Sequence, residues 1–222
     1  MSVEKKKLLS SVYIPFILLF IMWVLKIVEL AFDIHLSWLG VHPKHLDGLP
    51  GIVLSPFLHG DIHHLMANSV SFLVLAVALF YFYRQISLRV LLGIWLLSGM
   101  FIWLSGQENS HHIGASSLIY GLAAFLFVSG AIRKDTRLAA LAMVVAFLYG
   151  SIVWGVFPDF FPKENISWEG HLGGFISGTL LAFYYKNSGP KRKKYSWEYE
   201  EEEYLEEDEN AYWKIKNQDT TS

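Results

Sequence analysis

The apolar residues of this chain are gathered into six long runs, near residues 13–32, 65–82, 90–105, 116–132, 138–157 and 172–185. Runs of this length with few charges read as membrane spans. In lipid every backbone N–H and C=O must be satisfied within the segment, which restricts such a run to a helix. Composition agrees: 53% of residues are hydrophobic and 17% charged, against roughly 45–50% and 25% in soluble domains. The expected fold is an all-α membrane protein, a bundle of six transmembrane helices. Its expected organisation is a short N-terminus (1–12), a six-span body (13–186) and a basic-then-acidic tail (187–222) of the kind that is usually solvated and disordered. The first run exceeds the usual apolar length of a cleaved signal peptide and no small-residue cleavage site follows it, so it reads as a retained helix.

Basic residues set the expected orientation. Lys5, Lys6 and Lys7 precede the first span, Arg84 and Arg89 follow the second, and Arg133, Lys134 and Arg137 follow the fourth. Lys186, Lys191, Arg192, Lys193 and Lys194 follow the sixth, whereas the opposite loops carry only Lys44 and Lys163. This bias places both termini in the cytoplasm. Lys26 and Glu29, inside span one at i, i+3 spacing, read as a local ion pair.

Under this topology spans two, four and six each begin on the outer side. Their outer ends carry His59, His63, His64 and Asn68, then Ser116 and Tyr120, then His171. A hydroxyl and an imidazole are the minimum for nucleophilic catalysis, and here they stand at one membrane depth. Span four, about 25 Å as a helix, is shorter than the ~30 Å hydrocarbon core. The polar stretch 105–112 must then dip inward to meet it, which is tolerable only around a water-filled or protein-lined cavity. Each residue taken alone has a plainer reading. Ser116 could be an N-cap, His171 an interfacial residue, Tyr120 one more aromatic, and His64 with Asn68 a helix-contact pair on one face. Gly174 and Gly178 form a small-xxx-small packing face. Their joint order and shared side of the membrane point to a site. The chain has no Cys, which excludes disulfides, thiolate nucleophiles and Cys-based zinc sites.

Three motifs, His59-x4-His64-x3-Asn68, Gly114-Ala115-Ser116 with Tyr120, and His171-x2-Gly174-x3-Gly178, closely resemble those of the rhomboid family of intramembrane serine proteases. The resemblance covers about residues 55–185. It implies peptide-bond hydrolysis in transmembrane protein substrates by a Ser116–His171 dyad, with no metal and no organic cofactor. It further implies that Tyr120 packs on His171, that the Ser116 N–H, His64 and Asn68 meet the oxyanion, and that Gly174 and Gly178 bring spans four and six together. His59 is placed in support. Two departures stand out: the glycine usual after the nucleophile is Ser117 here, and the Trp-Arg pair usual in the first outer loop is absent. The compact six-span core fits a prokaryotic plasma membrane, the site opening toward the outer side, with the bilayer and membrane substrates as partners and no nucleic acid. The first outer loop, 33–58, mixes Leu36, Trp38, Leu39 and Leu46 with His and Pro, and in relatives it lies partly in the interface.

Two other classes compete. A catalytically inactive rhomboid-like protein that binds transmembrane clients would keep the glycines and lose Ser or His; both are present. A histidine-rich metal-binding protein or transporter would use the nine histidines, among which His59 and His63 have i, i+4 ligand spacing. The chain has no HExxH sequence and few intramembrane carboxylates to complete a ligand set.

Overall fold

The computed structural model describes residues 2–133 and 167–189, with 137, 140, 141, 143 and 144 between them. Most of span five, residues 158–166 and the tail from 190 onward lie outside the described residues. The described chain is mostly helical: α1 (Val3–Phe32), a short α2 (Gly51–Leu54), α3 (Ile62–Phe82), α4 (Ser87–Ser105), α5 (Ser116–Ile132) and α6 (Trp168–Tyr184), with 3-10 turns between α1 and α3. The only extended pairing among the described residues is an isolated bridge between Val41 and His112.

Helices α1, α3 and α6 each begin at a side-chain cap. Ser2 caps α1 by accepting from Lys5 N–H, so the lysines that mark the N-terminus are themselves helical. That corrects the expected start: α1 begins at Val3, ten residues before its apolar run. Lysine is a good helix former, and hydropathy alone cannot see a helix continue through it. Asp33 ends α1 in the left-handed region (φ 51°), its N–H bonded to the Glu29 carbonyl. Asp61 caps α3 by accepting from the His64 N–H at 2.8 Å, a bond that holds the exposed carboxyl below its usual range. Helices α3 and α4 start three residues before their apolar runs, and α6 starts at Trp168 rather than Leu172. Helix α5 has the expected bounds.

Helices α1, α3 and α4 are long and apolar enough to cross a membrane. Helices α5 and α6 have 17 residues each, about 25 Å. Large apolar side chains face outward along the helices, among them Phe16, Phe20 and Ile27 on α1, Met66 and Val70 on α3, and Leu92 and Leu96 on α4. Apolar surface on this scale belongs in lipid rather than water. The core lies inside the bundle, around Phe72, Leu75 and Leu79 of α3, Leu91 and Ile94 of α4, and Leu118, Leu122 and Phe125 of α5. The Trp23 indole N–H donates to Ser69 Oγ at 3.1 Å, joining α1 to α3. The Trp95 indole N–H donates to the Ile52 carbonyl at 3.0 Å, joining α4 to α2.

The closest pair is α5 with α6, and glycine makes it so. A Cβ on Gly174 would fall onto the Ser117 carbonyl oxygen, and one on Gly178 onto that of Gly121. The two backbones meet along this stripe. Ser117 is buried and fits without parting the helices.

Candidate active site

The segment 112–116 delivers Ser116 to the start of α5, and its path is fixed on three sides. The Gly114 N–H donates to the Ser55 carbonyl at 2.9 Å. Gly114 itself has φ +109°, open to glycine and strained for other residues. Its missing side chain matters too. A Cβ there would lie 2.9 Å from His64 Cε1, 3.1 Å from His64 Nε2 and 3.7 Å from Asn68 Nδ2. Gly114 therefore lets the imidazole and amide of α3 approach the chain two residues before Ser116. The buried Asn68 amide nitrogen has no hydrogen-bond partner among the described residues, and leaving such a donor unpaired costs about 1–3 kcal/mol.

On the third side, the Ala115 N–H donates to His59 Nε2 at 3.4 Å. His59 is buried, and its ring meets that of His64 edge-on, 5.1 Å between centroids. Burial drives its pKa down to about 3, with the nearby His64 and Lys26 charges acting the same way. The ring is thus neutral at ordinary pH, and accepting from Ala115 places its proton on Nδ1. An unfolded His59 binds its proton near pH 6.5, so acid favours the unfolded chain between pH 6.5 and about 3. Across that window stability should drop as pH falls, by at most about 1.4 kcal/mol per pH unit from this group, which lowers the thermal midpoint; above pH 6.5 the midpoint should not respond to it. His59→Gln, which keeps an acceptor without the titration, should flatten the slope in thermal unfolding. An unchanged slope would assign the linkage to another group.

Ser116 is partly exposed, whereas the side chain of Ser117 is buried against the bundle. Tyr120 stands four residues on, one turn along the same face of α5. The His171 ring lies flat on the Tyr120 ring, centroids 4.1 Å apart and planes 11° from parallel. His171, 8% exposed, is thus held on the face of α5 that carries Ser116, at the level set by the Gly174–Ser117 contact. The His171–Tyr120 stack thus lies one helical turn from Ser116 on α5, and His64 and Asn68 of α3 lie against Gly114, two residues before it.

Not every sequence expectation meets here. His63 is exposed on α3, and His59 precedes that helix instead of lying on it, so the i, i+4 ligand geometry supposed for the two does not form. Other connections were invisible in the sequence. Lys26 does pair with Glu29 at 3.1 Å. It also donates to the His59 and Gly60 carbonyls, at 2.9 and 3.0 Å, so the pair fastens α1 to the loop that carries His59. His112 is buried, with Nε2 2.9 Å from Ser110 Oγ and Nδ1 2.6 Å from Ser167 Oγ. Ser167 in turn accepts from the Gly170 N–H as the cap of α6, so the segment before Ser116 is tied to the helix end that carries His171. Burial and the adjacent His111 lower the His112 pKa to about 4.

Known proteins place the chain in context. The rhomboid-domain family model matches residues 47–188. An uncharacterized protein of Mycobacterium tuberculosis is 38% identical over 159 residues, 69% of this chain and 65% of that protein. One of Mycobacterium leprae is 37% identical over 162 residues, covering 69% and 62%. This chain thus spans a little under two thirds of the length of these relatives. A protein of Acanthamoeba polyphaga mimivirus named as a rhomboid protein is 26% identical over 132 residues, 58% of this chain and 70% of its own. The domain match covers every residue of the site above except Lys26 and Glu29, and by it the chain belongs to the rhomboid family.

Proposed function

We propose that this protein is an intramembrane serine endopeptidase that cleaves transmembrane protein substrates. The observation that carries the reading is the stack of His171 on Tyr120, one helical turn from the partly exposed Ser116. His171 acts as general base, taking the Ser116 proton as Oγ attacks the scissile carbonyl, and then as acid toward the leaving amine. Tyr120 holds the imidazole by its face. The tetrahedral oxyanion is met by the Ser116 backbone N–H at the positive end of α5, by His64 and by the Asn68 amide. The unpaired state of that amide fits a donor kept for charge that exists only during reaction. The body has six spans, both termini lie in the cytoplasm and the site opens outward, as the basic residues favour.

The test is cleavage of a single-span reporter substrate in liposomes by purified protein, with covalent labelling of Ser116 by a serine-directed probe. Cleavage that survives chelation supports the dyad. Loss on chelation in chain that stays folded, reversed by zinc and with Ser116 no longer needed for cleavage, would instead make the enzyme a metalloprotease. Within the same assay Asn68→Ala should lower single-turnover cleavage by about 10²–10³-fold with little change in substrate affinity, because the amide acts when negative charge develops. A pure affinity defect would move Asn68 to substrate docking.

A further inference from the structure

Three side chains outside this site come together on the turn that follows α1. His42, His45 and Asp47 offer ligand atoms all within 4.8 Å of one another. The His42 and His45 rings are stacked, centroids 3.9 Å apart and 3° from parallel. The His111 ring lies 4.7 Å from that of His42.

The hydrogen bonding of His42 is informative. Its Nε2 is 2.9 Å from the Glu108 backbone carbonyl, which can only accept, so Nε2 carries a proton. Nδ1 faces the Asp47 carboxylate, 3.3 Å from Oδ1 and 3.4 Å from Oδ2. That nitrogen and the carboxylate are placed to share one cation between them. A histidine that donates its other N–H to a backbone carbonyl is the usual arrangement around a bound metal.

Spacing and chemistry narrow the choice. Tetrahedral ligands with bonds of about 2.0–2.1 Å stand roughly 3.3 Å apart, which is the His42–Asp47 separation already present. The remaining gap closes by rotation of His45 and Asp47, both exposed. Imidazole with carboxylate and no thiolate suits zinc and its first-row neighbours rather than calcium or magnesium.

We propose that His42, His45 and Asp47 form a surface site for a zinc-class divalent metal ion, separate from Ser116 and His171, with His111 at its edge. The position gives the ion leverage. Val41 exchanges both backbone hydrogen bonds with His112 at 2.9 Å, Lys44 N–H donates to the Trp103 carbonyl at 2.9 Å, and the Trp103 indole donates to the His45 carbonyl at 2.8 Å. Metal on this turn stiffens the loop that borders the segment leading to Ser116, and stabilises the fold without entering the chemistry.

The experiment uses the full chain without a polyhistidine tag, purified in detergent, stripped with chelator and titrated calorimetrically with Zn²⁺. One ion should bind per chain, and Zn²⁺ should raise the thermal midpoint. The double variant His42→Ala/His45→Ala, and separately Asp47→Asn, should each weaken binding at least tenfold and abolish the rise. His63→Ala, which changes an exposed histidine away from the cluster, should bind as wild type. Absence of saturable binding, absence of the thermal shift, or wild-type binding by either the double variant or Asp47→Asn would overturn the site. Ser116→Ala should bind Zn²⁺ as wild type, so this result stands apart from the outcome of the cleavage assay.

Discussion

Ser116→Ala and His171→Ala are each expected to lower cleavage of a single-span substrate by at least about 10³-fold while leaving the thermal midpoint near that of wild type. Removing a partly exposed hydroxyl takes nothing from the core. Removing the imidazole leaves the glycine contacts of α6 in place. Members of one catalytic unit are strongly non-additive, so the double variant should be little worse than either single one. Single-turnover assays in liposomes measure the loss, and thermal unfolding in detergent checks the fold. Ser117→Ala provides the counter-test. Its side chain is buried between helices, so it should keep near-normal cleavage. Full activity in Ser116→Ala with loss in Ser117→Ala would reassign the nucleophile.

The largest effect on stability should come from Gly178→Val. A Cβ at this position meets the Gly121 carbonyl oxygen, then the Gly121 carbonyl carbon at 2.8 Å and its Cα at 3.0 Å. These atoms are helix backbone and cannot rotate away as a side chain can. Relief requires α5 and α6 to part, which gives up the packing along their shared stripe. Overpacking ordinarily costs about 1–3 kcal/mol, and a backbone obstacle with a branched side chain places this variant at or above the upper end. Gly60→Ala is the matched control, since nothing lies within 4 Å of a Cβ there; it should change stability by no more than about 0.5 kcal/mol. If Gly178→Val unfolded at the wild-type temperature, the close approach of α5 and α6 would be wrong.

Local signals in the sequence carried much of this architecture. The apolar run of α5 ends where the helix ends, because a glycine-led turn opens it and Arg133 closes the apolar stretch. The faces of α3 and α5 were legible as well, since i, i+4 spacing puts His64 with Asn68 and Ser116 with Tyr120. The start of α1 was not, because helicity there runs on through Lys5, Lys6 and Lys7 where hydropathy falls. Contacts between distant segments left no trace in any window. Lys26 reaches carbonyls 33 and 34 residues away, and His112 reaches Ser167 across 55 residues. The pairing of Lys26 with Glu29 could be read from spacing; what the pair holds could not. The nine histidines show the same limit. Sequence divides them only by loop, whereas folding divides them into a pair with rings in edge contact at His59 and His64, a structural link at His112 and a surface cluster at His42 and His45.

The tie between His112 and Ser167 has a counterpart at the far end of the same two helices. There the Arg133 guanidinium, just past α5, donates to the Tyr185 carbonyl at 2.7 Å and to that of Ser188 beyond α6. Helices α5 and α6 are thus latched at both ends and fused by glycine between, with no compliant joint along their length. Such a pair is expected to move as a single rigid body. On the proposed function, a gap wide enough to admit a peptide is then expected to open against this pair, by displacement of some other part of the protein, leaving the two helices that carry Ser116 and His171 in register.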